Sequence, residues 1–215
     1  MIIKVCGMRE ADNIRAVEQT GADWIGFIFY NRSPRFVSSL PAYLPSLQKR
    51  AGVFVNASIE EIIGTARLFK LDIVQLHGDE TPAVCRAIKA EGLTTVRAVS
   101  VGNENDVAAA ARFEAADYLL FDTQTATRGG SGKRFDWQLL EAYDGKTPFL
   151  LSGGINETAL GDITAFKHKR FAGIDLNSGF EISPALKNAT ALSRFIKAVR
   201  HAEQTRHAAE TASSH

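Results

Sequence analysis

Eight short apolar runs, each rich in branched or aromatic residues, constrain the fold of this chain more than any other feature. They are Ile2–Val5, Trp24–Phe29, Gly52–Val55, Ile73–Leu76, Thr95–Val99, Tyr118–Phe121, Pro148–Leu151 and Phe171–Leu176. Continuous short runs of this kind mark strands buried on both faces, as in a parallel sheet. Between them the apolar period changes to that of a helix. Ile59, Ile62, Ile63 and Ala66 fall at i, i+3, i+4 and i+7, which lays one stripe against a sheet. Leu192, Phe195, Ile196 and Val199 give the last helix the same stripe. Ser58 with Glu61 forms a capping box, and Thr81 before Pro82 supplies the N-cap and first residue of the following helix. Gly21, Gly92 and Gly145 stand where helix ends call for a left-handed residue.

Strand and helix alternate to the end of the chain, with no compositional break that would mark a linker. Parallel strands joined in this way cross over right-handedly, and eight such units close most economically on themselves. The expected fold class is α/β, a single-domain (β/α)8 TIM barrel; a doubly wound open sheet is the alternative. At 215 residues the barrel must have short loops, since such folds run to about 250 residues, with about 200 as the lower limit. It is expected over residues 1–203. Residues 204–215 are polar and lack a stripe, and are expected to form a frayed tail.

A formal net charge of +1 argues against a broad electrostatic footprint for nucleic acid. No stretch reaches the roughly 18 apolar residues of a membrane helix, and the N-terminus MIIKVCGMRE lacks the cleavage pattern of a secretory signal. Cys6 and Cys85 are far apart and not in a metal spacing; Cys85, in a helix, reads as a small buried hydrophobe. The expectation is a cytoplasmic protein without nucleic-acid or membrane partners, a monomer or homodimer.

Barrel enzymes place their active sites at the C-terminal ends of the strands, and here polar, small and reactive residues concentrate there. Gly153–Gly154 opens the seventh helix and Ser178–Gly179 follows the eighth strand. Glycine lets backbone N–H groups approach a phosphate, a helix N-terminus adds a favourable dipole, and a phosphate site after strands seven and eight recurs in barrels. A plain tight turn is the other reading of either pair. A third cluster, Gly129–Gly132, is either a flap over the mouth or a further phosphate contact.

Asp122 closes the sixth run and puts a carboxyl at the rim, as a proton donor or as a helix N-cap. Cys6 ends the first strand in phase with Ile2 and Lys4; it is either a core filler or a base or nucleophile. Lys4, one layer below, pairs with an acidic neighbour or supports a thiolate. Asp175 ends the eighth strand, placed to orient a substrate amine or hydroxyl. Arg35, in a loop stiffened by Pro34, suits a carboxylate through its bidentate fork, or is a solvated surface residue. His77 and Asp79 do not make a metal pair by spacing, and no metal is expected.

In order along the chain these residues resemble the phosphoribosylanthranilate isomerase family, from about Ile2 to Arg200. The carriers are K-V-C-G at Lys4–Gly7, S-P-R at Ser33–Arg35, G-V-F-V-N at Gly52–Asn56 and Q-L-H-G-D-E at Gln75–Glu80. The later ones are L-L-F-D at Leu119–Asp122, G-G-S-G-K-R-F-D-W at Gly129–Trp137, L-S-G-G-I at Leu151–Ile155 and G-I-D-L-N-S-G-F-E at Gly173–Glu181. The resemblance implies Cys6 as general base, Asp122 as general acid and Arg35 on the anthranilate carboxylate. It also implies Asp175 near the anthranilate nitrogen and phosphate at Gly153, Gly154, Ser178 and Gly179. The implied reaction is a cofactor-free Amadori rearrangement of a phosphorylated small molecule, N-(5-phosphoribosyl)anthranilate, to 1-(2-carboxyphenylamino)-1-deoxyribulose 5-phosphate. One departure stands out. Where the family continues from the final Glu into Pro-Gly and Lys-Asp, this chain reads Ser183–Pro184–Ala185–Leu186–Lys187–Asn188. The alternatives are another phosphosugar barrel isomerase, or a barrel that binds a phosphometabolite without turning it over. A Schiff-base aldolase would need a lysine ending a strand, and none of the eight runs ends in one.

Overall fold

The computed structural model describes residues 1–123 and 135–212. The strands are β1 (Ile2–Val5), β2 (Trp24–Ile28), β3 (Lys49–Phe54), β4 (Ile73–Leu76), β5 (Thr94–Val101), β6 (Tyr118–Thr123), β7 (Phe149–Leu151) and β8 (Phe171–Leu176). They pair in parallel in chain order, and β8 returns to β1 to close the barrel, which excludes the open sheet. Both faces of this wall are buried. Trp24, Ala51, Ile73, Val96, Leu120 and Leu150 fill the barrel interior, while Ile3, Val5, Ile25, Phe27 and Phe121 pack outward against helix residues such as Ile14, Ile62 and Phe195. Burial on both faces is why the strands read as predominantly apolar runs rather than as alternating ones. Cys85 is buried in the outer layer, as a small hydrophobe.

The helices are α1 (Ala11–Glu18), α2 (Ile59–Phe69), α3 (Pro82–Ala90), α4 (Glu104–Ala109), α5 (Leu160–Ala165) and α6 (Ala189–Ala212). Alternation is therefore incomplete. Among the described residues no helix joins β2 to β3, because Pro34, Pro41 and Pro45 interrupt any ladder there. Glu18 at the end of α1 ties that connection down instead. Its carboxylate accepts from Ser46 N at 2.6 Å, from Leu47 N at 3.0 Å and from the Tyr43 hydroxyl. Burial would raise the Glu18 carboxyl, but these hydrogen bonds, led by that from Tyr43, outweigh it and hold it below the usual range. Ahead of β7, Trp137–Ala142 is a 3₁₀ turn rather than an α-helix.

Ser58 Oγ accepts from Glu61 N at 3.1 Å, which is the N-cap half of the capping box; the return bond from the Glu61 side chain is not made. Thr81 makes no side-chain cap bond, and Pro82 alone marks the start of α3. Gly21 and Gly92 are left-handed, with φ of 89° and 81°. Gly145 is not; it lies against the Tyr143 ring, where a Cβ would come within 2.5 Å of the hydroxyl oxygen. The helix α6 continues to Ala212, through most of the segment read as a tail. An Ala-rich sequence propagates a helix without a stripe once packing has nucleated it.

The segment that departs from the resembling family folds as an antiparallel pair, β9 (Glu181–Ser183) and β10 (Leu186–Lys187). Pro184 followed by Ala185 at φ 66° is the pattern of a type II turn, whose third position favours glycine. Ala185 thus carries left-handed strain that glycine would not. Ala185→Gly should stabilise the protein by about 0.5–1 kcal/mol, the strain relieved less the entropy glycine adds to the unfolded chain. Urea unfolding reads this as a higher midpoint; a lower midpoint would refute it.

Candidate active site

Strand parity decides which side chains reach the mouth. Ile2, Lys4 and Cys6 point inward from β1, and the closing register sets Lys4 beside Asp175 of β8. The Lys4 Nζ lies 3.0 Å from Asp175 Oδ1, with both side chains buried. The acidic partner expected for Lys4 is therefore Asp175, and Lys4 also lies against Cys6. Cys6 fits there because β2 presents Gly26 opposite it: a Cβ on Gly26 would stand 2.9 Å from the Cys6 Sγ and 3.2 Å from Lys4 Cε. Burial pushes the Cys6 thiol up, and the Lys4 ammonium beneath it pulls the other way without cancelling the rise. Burial likewise pushes the Asp175 carboxyl up against the pull of Lys4. For Lys4 itself burial works downward, but Asp175 and Cys6 outweigh it and hold the ammonium charged.

Asp122 comes from β6, in register with Ser100 of β5. Its Oδ1 accepts from Thr123 N at 2.9 Å, and its Oδ2 lies 3.5 Å from His77 Nε2. Gln75 Nε2 approaches His77 Nδ1 at 2.9 Å; with the amide donating, the ring proton sits on Nε2, facing Asp122. Sequence reasoning weighed His77 only as a metal ligand and missed this contact. The usable signal was parity, since His77 follows β4 in phase with Ile73 and Gln75.

Two cavities meet at Asp122 and Asp175. The first is bounded by Cys6, Arg35, Gln75 and His77 along with those two aspartates. The second runs from Asp122 and Ser152 over Gly153, Gly154, Ser178 and Gly179. Both glycine-rich loops are tightly built. Gly153 and Gly154 have φ of 83° and 65°, and a Cβ on Gly153 would meet Asp122 Oδ1 at 2.9 Å. A Cβ on Gly179 would stand 2.1 Å from the Ile155 carbonyl oxygen, so the two loops touch through bare backbone. Gly153–Gly154 does not open an α-helix directly: a 3₁₀ turn at Glu157–Ala159 intervenes before α5. Ser178–Phe180 is likewise a single 3₁₀ turn. The Gly129–Gly132 cluster lies outside the described residues.

Arg35 is 8% exposed, which rules out a solvated surface role. Its Nε and Nη2 donate to the two oxygens of Glu181 at 2.8 and 2.6 Å. One edge of the guanidinium is thus held, while the residue still lines the first cavity. Glu181 was visible in the sequence as a motif letter, with nothing to say that it pairs with Arg35. The mouth as a whole offers a thiol, a carboxyl beside an imidazole, a fixed guanidinium and two backbone-lined loops around two adjoining cavities.

A family model described as N-(5'phosphoribosyl)anthranilate (PRA) isomerase matches residues 3–198. The N-(5'-phosphoribosyl)anthranilate isomerase of Phocaeicola vulgatus is 54% identical over 201 residues, covering 93% of this chain and 98% of that protein. The crystal structure of phosphoribosyl anthranilate isomerase from Thermotoga maritima is similar at a TM-score of 0.80 and 34% identity, covering 94% of this chain and all of that one. Another solved phosphoribosyl anthranilate isomerase, similar at a TM-score of 0.78 and 31% identity, is in complex with reduced 1-(o-carboxyphenylamino)-1-deoxyribulose 5-phosphate; that match covers 94% of this chain and all of the other.

Proposed function

This chain belongs to the N-(5'-phosphoribosyl)anthranilate isomerase family and is an isomerase, and from that premise we propose how its mouth residues carry the reaction. Asp122 protonates the ribose ring oxygen, and the ring opens to a Schiff base between C1′ and the anthranilate nitrogen. Cys6, as thiolate, removes the C2′ proton. The enolamine then tautomerises to the ketone, completing the Amadori rearrangement with no redox partner. Arg35 takes the anthranilate carboxylate, Asp175 lies near the anthranilate nitrogen, and the backbone at Gly153, Gly154, Ser178 and Gly179 takes the phosphate.

The observation that supports this reading most is the shared boundary of the two cavities. Cys6 lines the same cavity as Asp122, and Asp122, Ser152, Asp175 and Asn177 also line the adjoining cavity over the glycine loops. A substrate with its phosphate in those loops and its ring toward Arg35 would set its sugar carbons between acid and base. We take residues 1–203 as the catalytic unit, acting in tryptophan biosynthesis in the cytoplasm, as a monomer or homodimer. No helix among the described residues is long and apolar enough to cross a membrane.

The direct test follows anthranilate fluorescence during turnover of freshly generated phosphoribosylanthranilate. A fast change is expected with the wild type, and no change would overturn the activity. Arg35→Ala should raise KM by about tenfold or more and spare most of kcat, since a charge-assisted contact made equally in ground and transition states is lost. An unchanged KM would count against the carboxylate clamp.

A further inference from the structure

Arg35 does not face the cavity alone. The Glu181 oxygen that accepts from Arg35 Nε, Oε1, also accepts from Lys187 Nζ at 2.5 Å. Lys187 comes from β10, and its side chain is fully buried. Its second polar neighbour is Asn177 Oδ1, at 2.8 Å. Both neighbours are acceptors, as suits an ammonium, which has three N–H donors and cannot accept. Gly7 admits the cluster, because a Cβ there would stand 2.7 Å from Arg35 Cδ and 2.8 Å from Asn177 Oδ1. Burial would raise the Glu181 carboxyl, but Arg35 and Lys187 outweigh it and keep it ionised. Burial pulls the Lys187 ammonium below the usual lysine value, and Glu181 opposes that pull without cancelling it.

The charges then decide what Arg35 can do. Arg35 and Lys187 are positive and Glu181 is negative, so the triad carries one net positive charge. The neighbouring Lys4–Asp175 pair balances itself. Without Lys187, Arg35 and Glu181 would form a neutral pair. A carboxylate reaching that pair would meet attraction from the guanidinium and repulsion from the glutamate at similar range. Glu181 fixes the geometry of Arg35 but opposes its task.

We infer that Lys187 is a specificity-determining positioning residue: by neutralising Glu181 from behind, it leaves Arg35 both held in place and electrostatically open to the substrate carboxylate. This rests on Arg35 being the carboxylate clamp, and the test separates the two. The probes are reduced 1-(o-carboxyphenylamino)-1-deoxyribulose 5-phosphate and its anilino counterpart lacking the carboxylate, each titrated calorimetrically at fixed salt. The wild type should prefer the carboxylated ligand. Lys187→Met should lower that preference by about tenfold or more, as expected for losing one nearby charge in a poorly screened site. Glu181→Gln, which raises the net charge while keeping an acceptor for Arg35, should preserve or increase the preference. The double variant Lys187→Met/Glu181→Gln should return it to the wild-type level, because one net positive charge is restored. A merely structural Lys187 would weaken both ligands alike in Lys187→Met and show no recovery in the double variant; either result overturns the inference. Should Lys187→Met fail to fold, Glu181→Gln decides, and a preference below wild type there overturns it. A wild type with no preference overturns the clamp itself.

Discussion

Replacing Asp122 with asparagine should lower kcat by about 10²–10⁴-fold, the usual worth of a positioned acid or base, and Cys6→Ser should do the same. The two variants are informative because each keeps the shape of the site. The asparagine side chain can still accept from Thr123 N, a contact that Asp122 makes at 2.9 Å. What it cannot do is release an acidic proton to a ring oxygen. A serine in place of Cys6 fits the space that Gly26 leaves open, yet a hydroxyl is a far poorer source of an anion than a thiol. Both variants should therefore bind the reduced product analogue within a few-fold of the wild type while turning over slowly. Stopped-flow fluorescence gives the rate and titration gives the affinity. Near-normal turnover in either variant would remove the role assigned to that residue.

Lys4→Met should be the most damaging of the stability variants, at about 3–5 kcal/mol, because it strands the buried Asp175 carboxylate without a counter-ion. Lys4 and Asp175 are among the most enclosed charged groups in the chain, at 0% and 5% exposure. The effect also has a pH signature. With the ammonium gone, Asp175 ionises readily only in the unfolded chain, so its folded value lies further above the unfolded one. A raised carboxyl value means that unfolding releases a proton, so the deficit grows as pH rises above the unfolded carboxylate range and shrinks toward it. Urea unfolding of variant and wild type at several pH values measures that gap. A loss below about 1 kcal/mol at neutral pH would show that the pair matters no more than a surface ion pair. Lys4→Met/Asp175→Leu should recover most of the loss, since an apolar replacement of a buried pair is often near neutral.

Much of this molecule can be read from local pattern. Burial on both faces makes each strand a predominantly apolar run, and the end of a run marks the rim, so Cys6, Asp122 and Asp175 could be placed before any coordinates. The helices were legible only where a stripe had room to form. The connection from β2 to β3 has no helix, because prolines exclude one and the carboxylate of Glu18 takes over as its anchor. Gly145 illustrates a different limit. Its sequence context suits a helix cap, but its position is set by the ring of Tyr143.

Fold class, strands and the rim positions of Cys6, Asp122 and Asp175 follow from the order of residues alone, because periodicity and strand parity are properties of neighbours along the chain. Which groups face one another is fixed by folding. Lys4 meets Asp175 through the register that closes β1 on β8, His77 meets Asp122 across β5, and Arg35 meets Glu181, itself held by Lys187, on a hairpin more than a hundred residues away. Those pairings depend on barrel closure and on the room left by Gly7 and Gly26. Such contacts are long-range and leave no period in the sequence, so the partner and aim of each functional group appear only once the chain has folded.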